Sequence, residues 1–514
     1  MAQDRNKNAS TIKTANLGDT VISYGSSTVA RLALNLVTLG VLARVLTIDQ
    51  MGIVVSFNFL LAMYFVLTDL GLGSGLINKL SASVTDSNLQ SAYVRGSLIT
   101  KTITTTVMVL IFCCLSGEVS LWLTGVRDNS FLYLLLSPSL FFHPISSTVK
   151  NIFVGCQRIP SMVQIEVPVS LVGSAVTIIL ALSGFGPASF IYGRLLADGF
   201  FLLFSLLVIY SWSLLRGPFI MSITEVTRLL WTSSGALFFS SSAAFLAGWF
   251  DRSYLLVRVS LTEAAIYGIA ASIYTAVLTL PNALSIALFP KYSELQTVSL
   301  DLLKRRIANS YRIVLHICVI TMIMTAALAP ILVIVVAGST YLESITPLRI
   351  LALLGLSSIL SVSVTGLPVV LGIPQKQAAV NLTAALLGIS ASLLLGFQMD
   401  SLLMAIIKGS ISAITALGVF LFVKRKLELE VNVFHTFKSL FSGILTVIVM
   451  FLILEVMGFG LAGLSISLAL GIATYLFLVR ITGSIESRDL DIVEGVSGRV
   501  FRPLVRSIRR LLML

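Results

Sequence analysis

About fourteen apolar stretches, each long enough to cross a bilayer, follow one another in this chain with almost no sequence between them. A hydrocarbon core of about 30 Å needs about 20 apolar residues per helix, and segments such as 350–372 and 458–479 supply that length. Hydrophobic residues make up 56% of the chain and charged residues 11%, which excludes a water-soluble core. The spans read as 17–43, 50–76, 95–120, 130–156, 159–183, 187–211, 224–250, 262–289, 308–337, 345–371, 376–397, 401–423, 433–455 and 459–480. Their length and their continuous, non-alternating apolarity specify helices rather than barrel strands. The expected fold class is therefore an all-α polytopic membrane protein. Residues 1–16 are polar and show no cleavable signal pattern.

A formal charge of +12 raises nucleic acid as a partner, but the placement of the charge excludes it. An even number of spans puts both termini on one side. Of the 35 Lys and Arg residues, 26 lie on or near that side, counting Lys150, which sits just inside a span. Five lie opposite (Arg44, Arg127, Arg252, Arg258 and Arg349), and four lie inside spans (Arg31, Lys101, Arg194 and Lys408). Lys and Arg bias alone sets orientation. Both termini are thus expected in the cytoplasm of a cell inner (plasma) membrane, and the basic excess is a topology signal.

The loops suggest a duplication. Ala43-Arg44-Val45 followed by Met51-Gly52-Ile53 resembles Val257-Arg258-Val259 followed by Tyr267-Gly268-Ile269, with glycines 216 residues apart. Gly155-Cys156-Gln157-Arg158-Ile159-Pro160 resembles Gly372-Ile373-Pro374-Gln375-Lys376, with glycines 217 apart. That offset covers six spans, so both copies enter the membrane in the same direction and form a parallel repeat with a substrate site between the halves. The expected organisation is a six-helix lobe at 1–215, a second at 216–424, two additional helices at 425–482 and a cytoplasmic basic tail at 483–514. The charged segments 291–312 and 424–438 read as cytoplasmic loops. In the tail, Val500, Phe501, Leu504, Val505, Ile508, Leu511 and Leu512 fall at helical spacing among arginines, a pattern that suits anionic lipid or a solvated tail.

An ionisable group at membrane depth costs at least ~2.5–3.5 kcal/mol on insertion scales, so each needs a partner, water or a short route to the surface. Nearly all of them lie in the first six spans. Arg31 is mid-span in the first, about 20 Å from its cytoplasmic end, with no sequence-local partner; Asp69 is its expected partner if it has one. Asp69, Lys101, Lys150 and Glu166, one on each of the next four spans, sit about 10 Å deep and suit a layer of mixed sign. Arg194 and Asp198 are four apart and suit a pair within one helix. The functional reading of this set is a hydrated cationic cavity for an anionic head group. The structural reading is a helix-internal pair plus Lys101 and Lys150 snorkelling to the surface. Asp251, Arg252 and Lys408, in the second half, allow either reading, with water access or a snorkel the simpler. His143 and His316 suit packed or pore-lining histidines more than a proton relay.

Cys113, Cys114, Cys156 and Cys318 lie in apolar spans without metal-like spacing and read as packing residues. Pro138, Pro144, Pro168, Pro281 and the Gly366/Pro368 pair interrupt spans, as hinges or as static kinks. The sequence has no phosphate-binding P-loop, metal cluster, nucleophile elbow or zincin motif, and its outer loops are short. No cofactor is expected, and transport is favoured over enzymatic chemistry.

The stretch Gly40-Val41-Leu42-Ala43-Arg44-Val45-Leu46 through Met51-Gly52, then Asp69-Leu70-Gly71-Leu72-Gly73, resembles the opening of bacterial polysaccharide-export flippases. So do Phe250-Asp251-Arg252, Tyr267-Gly268, Phe289-Pro290-Lys291-Tyr292-Ser293-Glu294, and Tyr341 followed by Pro347-Leu348-Arg349-Ile350-Leu351-Ala352. The similarity, over about residues 17–425, is to the O-antigen repeat-unit branch of the multidrug/oligosaccharidyl-lipid/polysaccharide exporter superfamily. It implies a flippase that moves an undecaprenyl-pyrophosphate-linked oligosaccharide to the outer leaflet by alternating access, through a cationic cavity that suits Arg31. A polysaccharide polymerase or glycosyltransferases are the expected protein partners. The rival readings are a cation-coupled drug exporter of the same superfamily and a membrane-embedded glycosyltransferase or ligase. The substrate-binding candidates are Arg31, Asp69, Lys101, Lys150, Glu166, Arg194, Asp198, Arg252 and Lys408.

Overall fold

The computed structural model describes residues 17–83, 86–215, 221–357, 360, 367, 371, 374–396, 399–429, 433–458 and 461–484. The amphipathic tail therefore lies outside the described residues, as do Gly366 and Pro368. Among the described residues every regular element is helical. In chain order they are α1 (Leu17–Val45), α2 (Ile48–Asp69), α3 (Leu72–Ala82), α4 (Ser87–Thr124), α5 (Ser130–Gly155), α6 (Ile159–Leu182), α7 (Ala188–Ser211) and α8 (Ile223–Tyr254). A π-turn at Leu255–Val259 leads to α9 (Leu261–Val298) and α10 (Leu300–Ala337). A 3₁₀ segment at Ser339–Ser344 leads to α11 (Ile345–Gly355), α12 (Pro374–Leu394), α13 (Ser401–Leu427), α14 (Val433–Met457) and α15 (Leu461–Thr482).

Twelve of the described segments are long and apolar enough to cross a membrane. The expected span at 224–250 is helical within α8. The span at 345–371 is described as a helix only through α11, and most of its remainder lies outside the described residues. Rows of large apolar side chains face outward, as on α4 with Ile103, Val107, Leu110 and Ile111. Such surface is stable only against lipid or another apolar partner.

Two expected boundaries change. The single span at 50–76 is two helices, because Leu70 and Gly71 take left-handed conformations (φ 48° and 76°) and end α2 at Asp69. Glycine adopts that conformation freely, whereas leucine there costs on the order of 1–2 kcal/mol. Packing offsets the cost: Leu72, Leu76 and Leu80 of α3 are buried in one cluster with Val149, Ile152 and Phe153 of α5. The charged segment 291–312 is not a loop. α9 and α10 run through it and part only at Ser299, whose hydroxyl accepts from Leu302 N at 3.4 Å. Charged residues such as Lys304 and Arg305 are good helix formers, so a helix need not stop where the apolar stretch does. The proline-bearing helices also continue through Pro138, Pro144, Pro168 and Pro281.

The chain divides into two compact units. The first comprises residues 1–46 and 56–241; in it α6 packs on both α1 and α7, and α5 packs on α4, α3 and α7. The second comprises residues 47–55 and 242–514. Within it α10 packs against α9, α11 and α14, and α14 packs on α15. His316 of α10 clasps this last pair: its Nδ1 lies 2.9 Å from Tyr475 Oη of α15 and its Nε2 3.1 Å from Ser484 O. Ser439 Oγ of α14 is 3.4 Å from the same ring, so His316 is a buried packing histidine.

The second unit also joins the two motif copies read from the sequence. Thr262 Oγ1 at the start of α9 donates to Asp49 Oδ1 at the start of α2, at 2.6 Å. A Cβ at Gly52 would overlap the Leu261 carbonyl, and a Cβ at Gly268 would lie 2.8 Å from Val55 Cγ2. The motif glycines thus permit a close crossing of α2 and α9. Gly52→Ala meets backbone rather than a movable side-chain tip, so it is expected to cost about 1–3 kcal/mol by overpacking. Thermal unfolding of the purified protein measures this, and an unchanged midpoint would show that the crossing can open without loss.

Candidate functional site

Six ionisable residues of the first unit assemble into one cluster: Arg31, His143, Lys150, Glu166, Arg194 and Asp198. Glu166, seven residues into α6, faces two helices. Arg31 Nη1 of α1 and Lys150 Nζ of α5 both contact its Oε1, each at 2.5 Å. On α7, Arg194 Nε donates to Asp198 Oδ2 at 2.9 Å, the one-turn pairing that spacing of four allows. His143, seven residues before Lys150 on the same face of α5, completes this second pair. Its Nδ1 lies 3.2 Å from Asp198 Oδ2 and 2.7 Å from Arg194 Nη2. The two sets are linked through α5, which carries both Lys150 and His143.

The cluster has a polarity. The carboxylates are covered, with side-chain exposures of 4% for Glu166 and 10% for Asp198. The cations are more open: 28% for Arg31, 33% for Lys150 and 36% for Arg194. Three open cations therefore lie over two covered carboxylates, and with a neutral histidine one positive charge remains. Such a surface attracts an anion in a low-dielectric setting, where charge interactions are stronger than in water.

Lys101 and Asp69 form a separate neutral pair at 3.5 Å. Lys101 is 1% exposed and its ammonium makes no hydrogen bond among the described residues; it lies 5.8 Å from the Phe65 ring centre. Phe65 in turn lies 6.4 Å from the His143 ring, between the pair and the cluster. Asp69 is the last residue of α2, so the pair sits at the break that precedes α3.

Several expectations are corrected by this geometry. Arg31 is not unpartnered and its partner is not Asp69: it meets Glu166, 135 residues away, because α1 packs on α6 and Asp69 is occupied by Lys101. Arg31 is accordingly in the same layer as Glu166 rather than beyond it. Lys101 does not snorkel to a surface, and Lys150 turns its ammonium to Glu166. Arg194 and Asp198 pair as their spacing indicates. His143, read as a packing or pore-lining residue, is a full member of the cluster. Its seven-residue spacing from Lys150 was the available signal.

Arg252 and Lys408 belong to a different network, in the second unit. Lys408 Nζ lies 3.5 Å from Asp251 Oδ1 and donates to Ala247 O at 2.7 Å. Asp251 is buried, and Tyr267 Oη donates to its Oδ2 at 2.6 Å. Arg252 stacks on Trp249 at 4.7 Å from the ring centre. Tyr267, quoted from the sequence as a motif residue and not as a site candidate, is the group that closes the set. Cys318 is buried, but Cys114 is exposed rather than packed.

The helical fold can be set beside those of solved membrane proteins. The fold is similar to that of the lipid II flippase MurJ in an inward closed conformation, with a TM-score of 0.69, 14% identity, and coverage of 90% of this chain and 98% of that one. It is similar to an inward-facing multidrug resistance MATE family transporter of the MOP superfamily, with a TM-score of 0.62, 14% identity, and coverage of 80% and 98%. A MOP superfamily transporter from Pyrococcus furiosus, described as having a binding pocket of reversed polarity, matches at a TM-score of 0.58 and 13% identity over 80% and 96%. The chain thus has a fold similar to those of these MurJ and MATE structures. No curated protein matches the sequence. Residues 41–346 match the family model described as polysaccharide biosynthesis protein, and the chain belongs to that family.

Proposed function

We propose that this protein is a flippase for a lipid-linked, undecaprenyl-pyrophosphate-type oligosaccharide repeat unit, moving it from the cytoplasmic to the outer leaflet by alternating access. The observation that carries the reading is the set of open cations, Arg31, Lys150 and Arg194, over covered carboxylates. It occurs within membrane helices of a chain from a polysaccharide biosynthesis family. A pyrophosphate needs cationic donors, whereas its lipid tail needs only the bilayer, so the charged layer has to deal with the head group alone. A drug exporter for organic cations calls for the opposite balance of charge. A surface glycan such as O-antigen of lipopolysaccharide is the destination in this reading, with a polymerase or glycosyltransferases working beside the flippase in the inner membrane. The lobes are proposed at 1–215 and 216–424, followed by two additional helices at 425–482.

Deletion of the gene tests the function. A flippase predicts complete lipid-linked repeat units trapped on the cytoplasmic leaflet. Truncated sugars would indicate a transferase, and normal glycan with heightened toxin sensitivity would indicate a drug exporter. Topology has its own test, given the basic bias. Reporter fusions at Lys304, Lys426 and after Arg488 are expected to read cytoplasmic, and fusions at Asp128 and Glu343 external. A cytoplasmic reading at Glu343 would remove the proposed orientation and the parallel repeat together.

A further inference from the structure

Glu166 is bound in an unusual way for the carboxylate of an arginine pair. Arginine and carboxylate commonly meet through two parallel hydrogen bonds. Here Arg31 offers only Nη1, and Lys150 converges on the same oxygen, Oε1. Glu166 Oε2 and Arg31 Nε are both buried and make no hydrogen bond among the described residues. One acid therefore holds two cations through one oxygen, with bonding capacity left over on both sides. The cations also show more surface than the acid they hold.

We propose that Glu166 is a built-in competitor for the substrate anion: it occupies Arg31 and Lys150 in the empty protein and gives both up only to a ligand that brings two negative charges. This deepens the flippase reading and rests on it. The selectivity follows from charge counting. Arg31 and Lys150 carry two positive charges and Glu166 cancels one. A monoanion satisfies the remaining charge but cannot replace Glu166 on both cations. A pyrophosphate diester carries two negative charges on adjacent phosphates, matches both cations and spans the distance between an arginine and a lysine that already share one oxygen. The donors left over on Arg31 then find acceptors that the single-oxygen contact with Glu166 does not provide. Glu166 is a specificity-determining residue in this scheme. By re-forming its contacts it also favours release, so the same group that sets selectivity keeps the site from holding its cargo too long. The other charged groups facing the cluster, His143, Arg194 and Asp198, are already engaged with one another and leave Glu166 as the group that exchanges.

The test measures anion binding by the full-length protein in detergent, using inorganic pyrophosphate and the monoanion dimethyl phosphate as probes. Wild type is expected to bind pyrophosphate and to bind dimethyl phosphate at least tenfold more weakly. Glu166→Gln is expected to bind pyrophosphate about tenfold more tightly and to lose most of the discrimination, while its rate of glycan export falls because release slows. Lys150→Met leaves a neutral Arg31–Glu166 pair and is expected to weaken pyrophosphate binding about tenfold. The double variant is expected to return toward wild type, an outcome that a purely structural role for Glu166 does not produce. Unchanged or weaker pyrophosphate binding by a folded Glu166→Gln protein would overturn the proposal. So would failure of Lys150→Met to weaken binding if Glu166→Gln does not fold. Farnesyl pyrophosphate in mixed micelles distinguishes a lipid head group from a free phosphate: the lipid form is expected to bind more tightly, and equal binding overturns the lipid assignment. If wild type binds neither probe the competitor role is also overturned, whereas the flippase reading still stands or falls on the leaflet location of repeat units in the deletion strain.

Discussion

Lys101→Met is expected to deplete the folded protein more than any other single substitution in the first unit. Lys101 is buried, pairs with Asp69 at 3.5 Å and lies 5.8 Å from the Phe65 ring centre. Removing the lysine leaves a carboxylate at membrane depth without its counter-ion, at the end of α2 where the helix dipole adds negative character. Breaking such a pair by removing one partner costs about 3–5 kcal/mol, much of it the uncompensated charge. Lys101→Met/Asp69→Asn removes both charges and is expected to recover most of that loss, because a buried pair is worth little against neutral groups of similar size. Membrane-fraction protein level and the thermal midpoint in detergent measure both variants. If the double variant is no more stable than Lys101→Met, the pair is not what holds the α2–α3 break in place.

Helix identity was legible in the sequence because a membrane span declares itself by length and hydropathy alone, needing no knowledge of its neighbours. The break at Leu70-Gly71 was not: a glycine inside an apolar run is common in membrane helices, and only packing of Leu72, Leu76 and Leu80 on α5 makes the left-handed turn worth its cost. The helical course through Lys304 and Arg305 was hidden for a related reason, since hydropathy marks where lipid ends and not where the helix ends. For the charged residues, local spacing was sufficient for Arg194 and Asp198, which share one helix. It could not deliver the Arg31–Glu166 contact, which depends on α1 lying against α6. Counting depth along each span put Arg31 and Glu166 on different levels, yet the two side chains meet. In the second unit the same limit hid the pairing of Tyr267 with Asp251, which lies across the π-turn between α8 and α9.

Arg31→Ala is expected to abolish surface glycan display while leaving the protein in the membrane at its normal level. The two effects separate because Glu166 retains Lys150 when Arg31 is lost, so no buried carboxylate is left bare. The cluster then carries two cations against two carboxylates and no longer attracts an anion. A hydrogen bond to a charged group contributes about 1.5–3 kcal/mol, so loss of the guanidinium is expected to weaken anion binding on the order of tenfold to a hundredfold. Arg31→Lys keeps the charge but replaces a planar, multi-donor group by a point charge, and lysine does not grip a phosphate bidentately. Partial display is expected from that variant, between wild type and Arg31→Ala. Display is read by surface glycan staining and protein level by immunoblot of the membrane fraction, so a folding defect and a transport defect give different results. Full display from Arg31→Ala at normal protein level would show that Arg31 serves Glu166 as a counter-ion and takes no part in holding the substrate.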